Sequence, residues 1–175
     1  MAGLEDLLNR EPGTPLVLAS EHDWLQVCGY LVRATRRQVT LAMEWHEGKG
    51  RGPRKRYRLS DFERYETLDQ SGESEGKPQR NDILLFESEG VSVCGYLGDV
   101  TEKGFTLQMA SPGNLSSITY PGIWRWMRIG CDGPLRGYSL DLLEGAAILK
   151  KWSWKELYNP YSRPISGSSS SQGTG

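Results

Sequence analysis

One stretch of this chain occurs twice. Residues 17–45 align without a gap with residues 83–111, and 11 of the 29 pairs are identical. The centre of the match is the segment VCGYL, at Val27–Leu31 and again at Val93–Leu97. Unrelated segments would share only about two identities at average residue usage. The chain is therefore an internal duplication, and the fold of one unit of about 60 residues constrains the fold of the whole.

The matching segments carry the pattern of β-strands. In the first copy Val27, Gly29 and Leu31 fall on one side of an extended chain, with Cys28 and Tyr30 on the other. The second copy repeats this alternation, and a period of two with β-branched and aromatic residues predicts strands. A mid-strand glycine permits the sharp bend that a small closed barrel needs. Five strands are predicted per copy, the fourth and fifth at residues 56–59 and 64–68 in the first and at 118–120 and 126–129 in the second.

Several features of each copy resemble the small β-barrels of the SH3-like and Sm-like kind. These are short bent strands, a glycine in the second strand, a variable loop before the fourth, and the tight turn Leu59-Ser60-Asp61-Phe62. The resemblance covers roughly residues 15–68 and 82–130 and implies a mainly β chain of two tandem five-stranded barrels. In Sm-like proteins an Arg-Gly pair before the last strand helps to hold RNA, whereas the matching positions here read Leu59-Ser60 and Gly122-Ile123.

The segments outside the two units are assigned by composition and pattern. Residues 1–14 are predicted to hold a short helix. Residues 69–81 contain no aliphatic or aromatic side chain, which is typical of a flexible linker. Residues 131–164 are predicted to form a C-terminal helical appendage, and the low-complexity residues 165–175 a disordered tail.

The C-terminal appendage has the features of a helix over residues 138–158. Ser139 is a suitable N-cap, and Lys150 and Lys151 suit the last turn. Apolar residues at positions 140, 143 and 147 recur at helical spacing. We interpret this helix as a cover for one barrel or for the seam between the two, with a docking helix for another protein as the alternative.

Composition predicts a cytoplasmic protein with no membrane contact. No apolar run approaches the roughly 20 residues that cross a bilayer, and the N-terminal segment is acidic where a signal peptide is basic. Cys28 and Cys94 occupy equivalent positions and are expected to be buried thiols rather than a disulfide. Because no CxxC pair is present and histidines are few, the sequence predicts no metal site and no cofactor.

No catalytic signature is present. The chain lacks the nucleophile elbow, the phosphate-binding glycine loop and the metal-binding helix motifs of common enzymes. We expect His22 and His46 to be surface histidines rather than general bases. The sequence therefore predicts a binding protein and not an enzyme.

Charge is unevenly distributed along the chain. Residues 33–58 contain nine Lys and Arg against two Glu, or +7, and because the total is −1 the remainder carries −8. The basic, glycine-rich loop predicted here is the leading candidate for binding RNA or single-stranded DNA, since guanidinium groups bind phosphates and aromatic residues stack on unpaired bases. The candidate residues are Trp45, Lys49, Arg51, Arg54, Lys55, Arg56, Tyr57 and Arg58. The alternative is a solvated loop, or one that pairs with acidic residues of the same chain.

The second copy lacks this charge and is rich in tryptophan instead. Trp124 and Trp126 flank Arg125, and Trp152 and Trp154 lie in the predicted helix. An aromatic surface of this kind suits a peptide or a methylated cation. The alternative function is therefore a protein-interaction adaptor or a structural subunit. Packing of these tryptophans against the helix is the competing interpretation.

Overall fold

The computed structural model describes residues 2–20, 25–69, 76–111 and 135–149, and these residues are mainly β. Three short 3-10 helices accompany the strands in the described ranges, at Leu4–Asn9, Leu59–Asp61 and Leu140–Leu143. The strands are β1 (Ala2–Gly3), β2 (Pro15–Ser20), β3 (Leu25–Ala34), β4 (Gln38–His46), β5 (Lys49–Arg58), β6 (Arg64–Thr67), β7 (Ile83–Ser88), β8 (Val91–Thr101), β9 (Gly104–Gln108), β10 (Ala110–Ser111), β11 (Leu135–Tyr138) and β12 (Ala147–Leu149). The 3-10 helix Leu4–Asn9 lies in the segment where a short N-terminal helix is predicted.

The first repeat comprises β2 to β6, paired antiparallel in the order β6-β2-β3-β4-β5. The 3-10 turn Leu59–Asp61 connects β5 to β6, as the sequence predicts for a tight turn before the last strand. The two-residue strand β1 pairs with the outer edge of β6. This pairing covers one edge of the sheet, which would otherwise offer free backbone groups to another chain.

The second repeat has the same strand order, β12-β7-β8-β9-β11. Tyr57 pairs with Val39 in the first repeat, and Tyr138 pairs with Phe105 at the equivalent place in the second. The segment from β11 through the 3-10 turn to β12 therefore corresponds to β5, its turn and β6. The second repeat extends to Leu149, not to a boundary near residue 130.

This assignment corrects the prediction of a C-terminal helix. In the described part of that range, residues 138–149 form the end of β11, a 3-10 turn and β12, so the helix prediction is wrong there. Ile148 packs in the main core beside β7, and Ala147 and Leu149 are buried on the opposite side in the cluster between the repeats, as a closing strand requires. The expected strands at 118–120 and 126–129 and the rest of the expected helix lie outside the described residues.

The central glycines mark the bend in the second strand of each repeat. A Cβ on Gly29 would lie 3.0 Å from the Ala42 carbonyl oxygen, and one on Gly95 would lie 2.9 Å from the Leu107 Cβ. Neither distance leaves room for a side chain. Directly after each glycine the pairing shifts register, in β3 after Leu31 and in β8 after Leu97. Such irregularities bend a strand and increase its twist.

Each repeat also pairs one of its strands with a strand of the other repeat. Near the end of β4, Glu44 pairs with Val93 of β8. At the equivalent place in the second repeat, Ala110 of β10 pairs with Val27 of β3. The described strands therefore form one open antiparallel sheet of twelve strands. The prediction of a mainly β fold is confirmed, whereas two separately closed barrels are not observed.

A buried cluster of side chains in and next to the two VCGYL segments lies between the repeats. Like the strand pairings, its contacts are reciprocal, so that each repeat supplies equivalent residues. The Cys28 and Cys94 thiols are hydrogen-bonded to each other, and both are free, buried cysteines. Tyr96 donates its hydroxyl hydrogen to Gln26 Oε1 at 2.9 Å, and the hydroxyls of Tyr30 and Ser92 form the equivalent bond. Desolvation raises the pKa of the Cys28 thiol well above its usual range, so this thiol stays protonated and unreactive.

Candidate nucleic-acid interface

The predicted basic loop is a strand. The hairpin between β4 and β5 closes at Glu47 and Gly48, both with positive φ, and β5 begins at Lys49. The glycines that suggested a loop fill tight positions in this hairpin. A Cβ on Gly50 would lie 2.8 Å from Val32 Cγ2, and Gly52 has a φ of 69° beside the register shift after Ala42.

Because side chains alternate along a strand, the predicted basic residues of β5 lie on different faces of the sheet. Arg54, Arg56 and Arg58 alternate with Lys55 and Tyr57, and all three arginines are exposed on the outer face of β5. Every second residue of a strand is about 6.6 Å further along it. The three arginine side chains therefore leave one face of the strand at regular intervals, and we call this set the arginine row. Within it, Arg54 donates from Nη2 to the Gly50 carbonyl oxygen at 2.8 Å, whereas Arg56 and Arg58 form no such bond with the described part of the chain.

The remaining predicted cations lie apart from this row. Lys49 and Arg51 belong to the far end of the hairpin, before Gly52, and Arg51 lines a different cleft beside Glu44. The Lys55 ammonium lies over the Tyr57 ring, 5.6 Å from its centroid, on the opposite face of β5. The structure thus groups three of the six predicted cations and separates the other three.

Arginines outside the predicted set enlarge the basic surface. Thr40 of β4 lies between Arg56 of β5 and Arg33 of β3, so both arginines share the outer face. Arg36 and Arg37 project from the turn that joins β3 to β4, and all of them are exposed. No described carboxylate forms an ion pair with Arg33, Arg36, Arg37, Arg56 or Arg58. The face therefore presents uncompensated positive charge to solvent.

Of the two aromatic residues predicted to stack on bases, Tyr57 is buried and Trp45 is partly buried. Tyr57 is only 3% exposed, and its ring meets Phe62 edge-on with centroids 6.0 Å apart. Desolvation raises the pKa of its hydroxyl. The Trp45 ring lies against Gly13, where a Cβ would be 2.8 Å from the indole, and contacts the cluster between the repeats. The buried Tyr57 ring is therefore not placed to stack on a nucleobase, and part of the Trp45 ring is covered by its contact with Gly13.

A groove of about 1010 Å³ lies beside the C-terminal end of the arginine row. Its apolar residues come from two regions distant in sequence, Leu4 and Leu8 of the N-terminal 3-10 helix, and Leu59 and Phe62 after β5. Three arginines border this apolar surface, namely Arg36, Arg37 and Arg58. Sequence reasoning missed the groove because it depends on how the N-terminal helix packs against the turn after β3.

A buried carboxylate fastens the repeats together on the other side of the hairpin. Glu44 accepts hydrogen bonds from Arg136 Nη1 at 2.7 Å and from the Tyr138 hydroxyl at 2.6 Å. Burial and then this carboxylate raise the pKa of Tyr138. Because a buried charge is costly unless it is paired, Arg136 and Tyr138 hold β11 of the second repeat against β4 of the first. The neighbouring His46 ring is hydrogen-bonded to the backbone, with Nδ1 3.0 Å from the Gly90 carbonyl oxygen.

The other predicted features lie elsewhere or have no counterpart in the described ranges. Trp124, Trp126, Trp152 and Trp154, predicted as a protein-binding surface, lie outside the described residues. Among the described residues, no three His, Cys, Asp or Glu side chains are grouped so as to hold a metal ion. No helix in the described part of the chain has the length and apolar character to span a membrane.

Comparison of the chain with protein-family models, with curated proteins and with solved structures gave no match.

Proposed function

We propose that this protein is a non-enzymatic binding protein that holds RNA or single-stranded DNA on the arginine row. The observation that carries the proposal is the placement of Arg54, Arg56 and Arg58 on one face of β5, with Arg33 beside them and no described carboxylate paired with Arg56 or Arg58. Guanidinium groups bind phosphate oxygens through two parallel hydrogen bonds. A row of them along a strand suits the successive phosphates of an extended nucleic acid.

The surroundings of the row favour binding that is driven by phosphate contacts. The Tyr57 ring is buried, so stacking on it does not contribute, and Trp45 lies on β4 toward the far end of the hairpin, partly buried against the cluster between the repeats. Phosphate contacts carry no base information by themselves. We therefore expect affinity to depend strongly on salt and weakly on base sequence.

Basic residues on β5 also have a simpler explanation. In the described structure β5 pairs only with β4, and natural proteins protect such edges with Lys, Arg and Pro. Edge protection requires charge but no ligand. A measurement of binding to the unmodified protein separates the two explanations.

The wild-type protein is expected to bind a labelled single strand of about 12 nucleotides, a length within the usual site size, with a steep salt dependence. Each phosphate contact contributes about 0.7 to the slope of log affinity against log salt. The four outer-face arginines therefore predict a slope between about −2 and −3 in fluorescence anisotropy titrations from about 50 to about 200 mM salt. Absence of binding at the lowest salt, or an affinity independent of salt, would refute the proposal.

We also propose that each repeat belongs to the SH3-like or Sm-like small-barrel class and that the protein is cytoplasmic. Support for the class comes from the strand order shared by both repeats, the glycine at the bend of the second strand, and the 3-10 turn before the last strand. Support for the compartment comes from Cys28 and Cys94, which are free, buried thiols.

A further inference from the structure

The groove described above is continuous with the arginine row. Arg58 is the last member of the row and also borders the groove, together with Arg36 and Arg37 from the neighbouring turn. A strand whose phosphates follow β5 toward its C-terminal end would therefore reach this groove next. Glu5 also lines the groove, so the three arginines leave a net positive charge there, which complements the negative charge of the strand.

The groove is lined by both apolar and polar side chains, as a binding site for a nucleobase would be. Leu8 is 46% exposed, although few large apolar side chains of the described chain are exposed to that degree, and it faces the groove with Leu4 and Phe62. Gln38 and Ser60 also line the groove, and their side chains can both donate and accept hydrogen bonds. An unpaired base has two flat apolar faces and a polar rim, so a groove lined by both apolar and polar side chains suits it.

We propose that this groove receives unpaired bases of the strand bound on the arginine row, and so makes the protein selective for single strands. The inference rests on the proposed function, because the row must first hold the phosphates. Bases in a duplex are stacked and paired and cannot enter a groove without being extruded at a cost. In a single strand the bases are free to turn toward apolar side chains and arginine planes.

The test compares two strands of equal length and charge, one of thymidines and one in which every nucleotide is abasic. The wild-type protein is expected to bind the thymidine strand about 10-fold more tightly, in line with the usual contribution of base contacts. The variant Leu8→Ser should bring this ratio close to one by weakening binding of the thymidine strand only. Val100→Ser is the matched control, because Val100 is 49% exposed in the second repeat and far from the row in sequence.

The outcomes separate this inference from the function on which it rests. If neither strand binds, the proposed function fails and this inference fails with it. If both bind equally to the wild-type protein, the arginine row stands and the base-binding groove is refuted. The groove assignment is also overturned if an acidic, leucine-containing peptide binds in a Leu8-dependent manner while the two strands bind equally, because the groove then serves a protein partner.

Discussion

Replacing Ile148 with aspartate is expected to unfold the protein at ordinary temperatures. Ile148 lies in β12, pairs with Leu84 of β7, and is only 6% exposed within the main core. Removing a buried isoleucine side chain costs about 2–5 kcal/mol, and burial of an unpaired carboxylate adds to this. The sum is comparable with the whole stability of a typical domain, about 5–15 kcal/mol.

Urea denaturation followed by circular dichroism measures this effect. The matched control is Leu140→Asp, which introduces the same group eight residues earlier at a position that is 39% exposed. We expect this control to lose less than about 1 kcal/mol. Equal losses of stability in both variants would show that β12 does not complete the second repeat.

The double charge reversal Arg56→Glu, Arg58→Glu is expected to weaken binding of a single strand at least about 100-fold at low salt. Each lost charge-assisted hydrogen bond contributes about 1.5–3 kcal/mol, and each glutamate then repels the phosphate that the arginine attracted. Both positions are exposed on the outer face of β5, so the fold is expected to tolerate the change. The same anisotropy titration gives the affinity.

A control of equal charge distinguishes a site from a general effect of net charge. Lys77→Glu with Lys103→Glu makes the same change in net charge at exposed positions of the linker and the second repeat. This variant should bind within about 3-fold of wild type, because distant surface charges are largely screened. A comparable loss in both double variants would mean that no localised site exists.

The duplicated strands could be predicted from sequence because their pattern is local. The alternation through Val27, Gly29 and Leu31 is visible within a few residues, and it becomes the side of β3 that faces the main core, while Cys28 and Tyr30 are buried between the repeats. The gapless alignment nevertheless fails in the first hairpin. Leu16 faces Gly29, whereas Leu84 faces Gly95, so the first strands correspond with an offset of 68 and not 66. The two-residue turn at Glu89 and Gly90, both with positive φ, accounts for the shorter second hairpin.

The closing strand of the second repeat was not predicted because it is short and follows an insertion. Three residues cannot display an alternation, and the apolar positions around them fit a helical spacing by chance. A signal was present, since Tyr57, Leu59 and Leu68 recur with the same spacing as Tyr138, Leu140 and Leu149, at an offset of 81. The offset between equivalent residues of the two repeats therefore rises from 66 in the third strand to 81 in the fourth. The second repeat has 15 additional residues between these two strands.

The candidate site was predictable in composition but not in geometry. The charge of residues 33–58 identified the basic region, yet its glycines and proline suggested a loop. The arginines at every second position of β5 are consistent with a strand. The burial of Tyr57 follows from its register opposite Val39, and that pairing is a tertiary property. The groove likewise requires the packing of Leu8 beside a turn distant in sequence.

The most direct test of the account is to observe the arginine side chains themselves. In ¹⁵N NMR spectra of arginine Nε–Hε groups, addition of a single-stranded oligonucleotide should shift the resonances of Arg54, Arg56 and Arg58. The resonances of Arg80 and Arg136, which are paired with Asp99 and Glu44, should stay in place. Shifts confined to Arg80 and Arg136, or no shifts at all, would contradict binding on the arginine row.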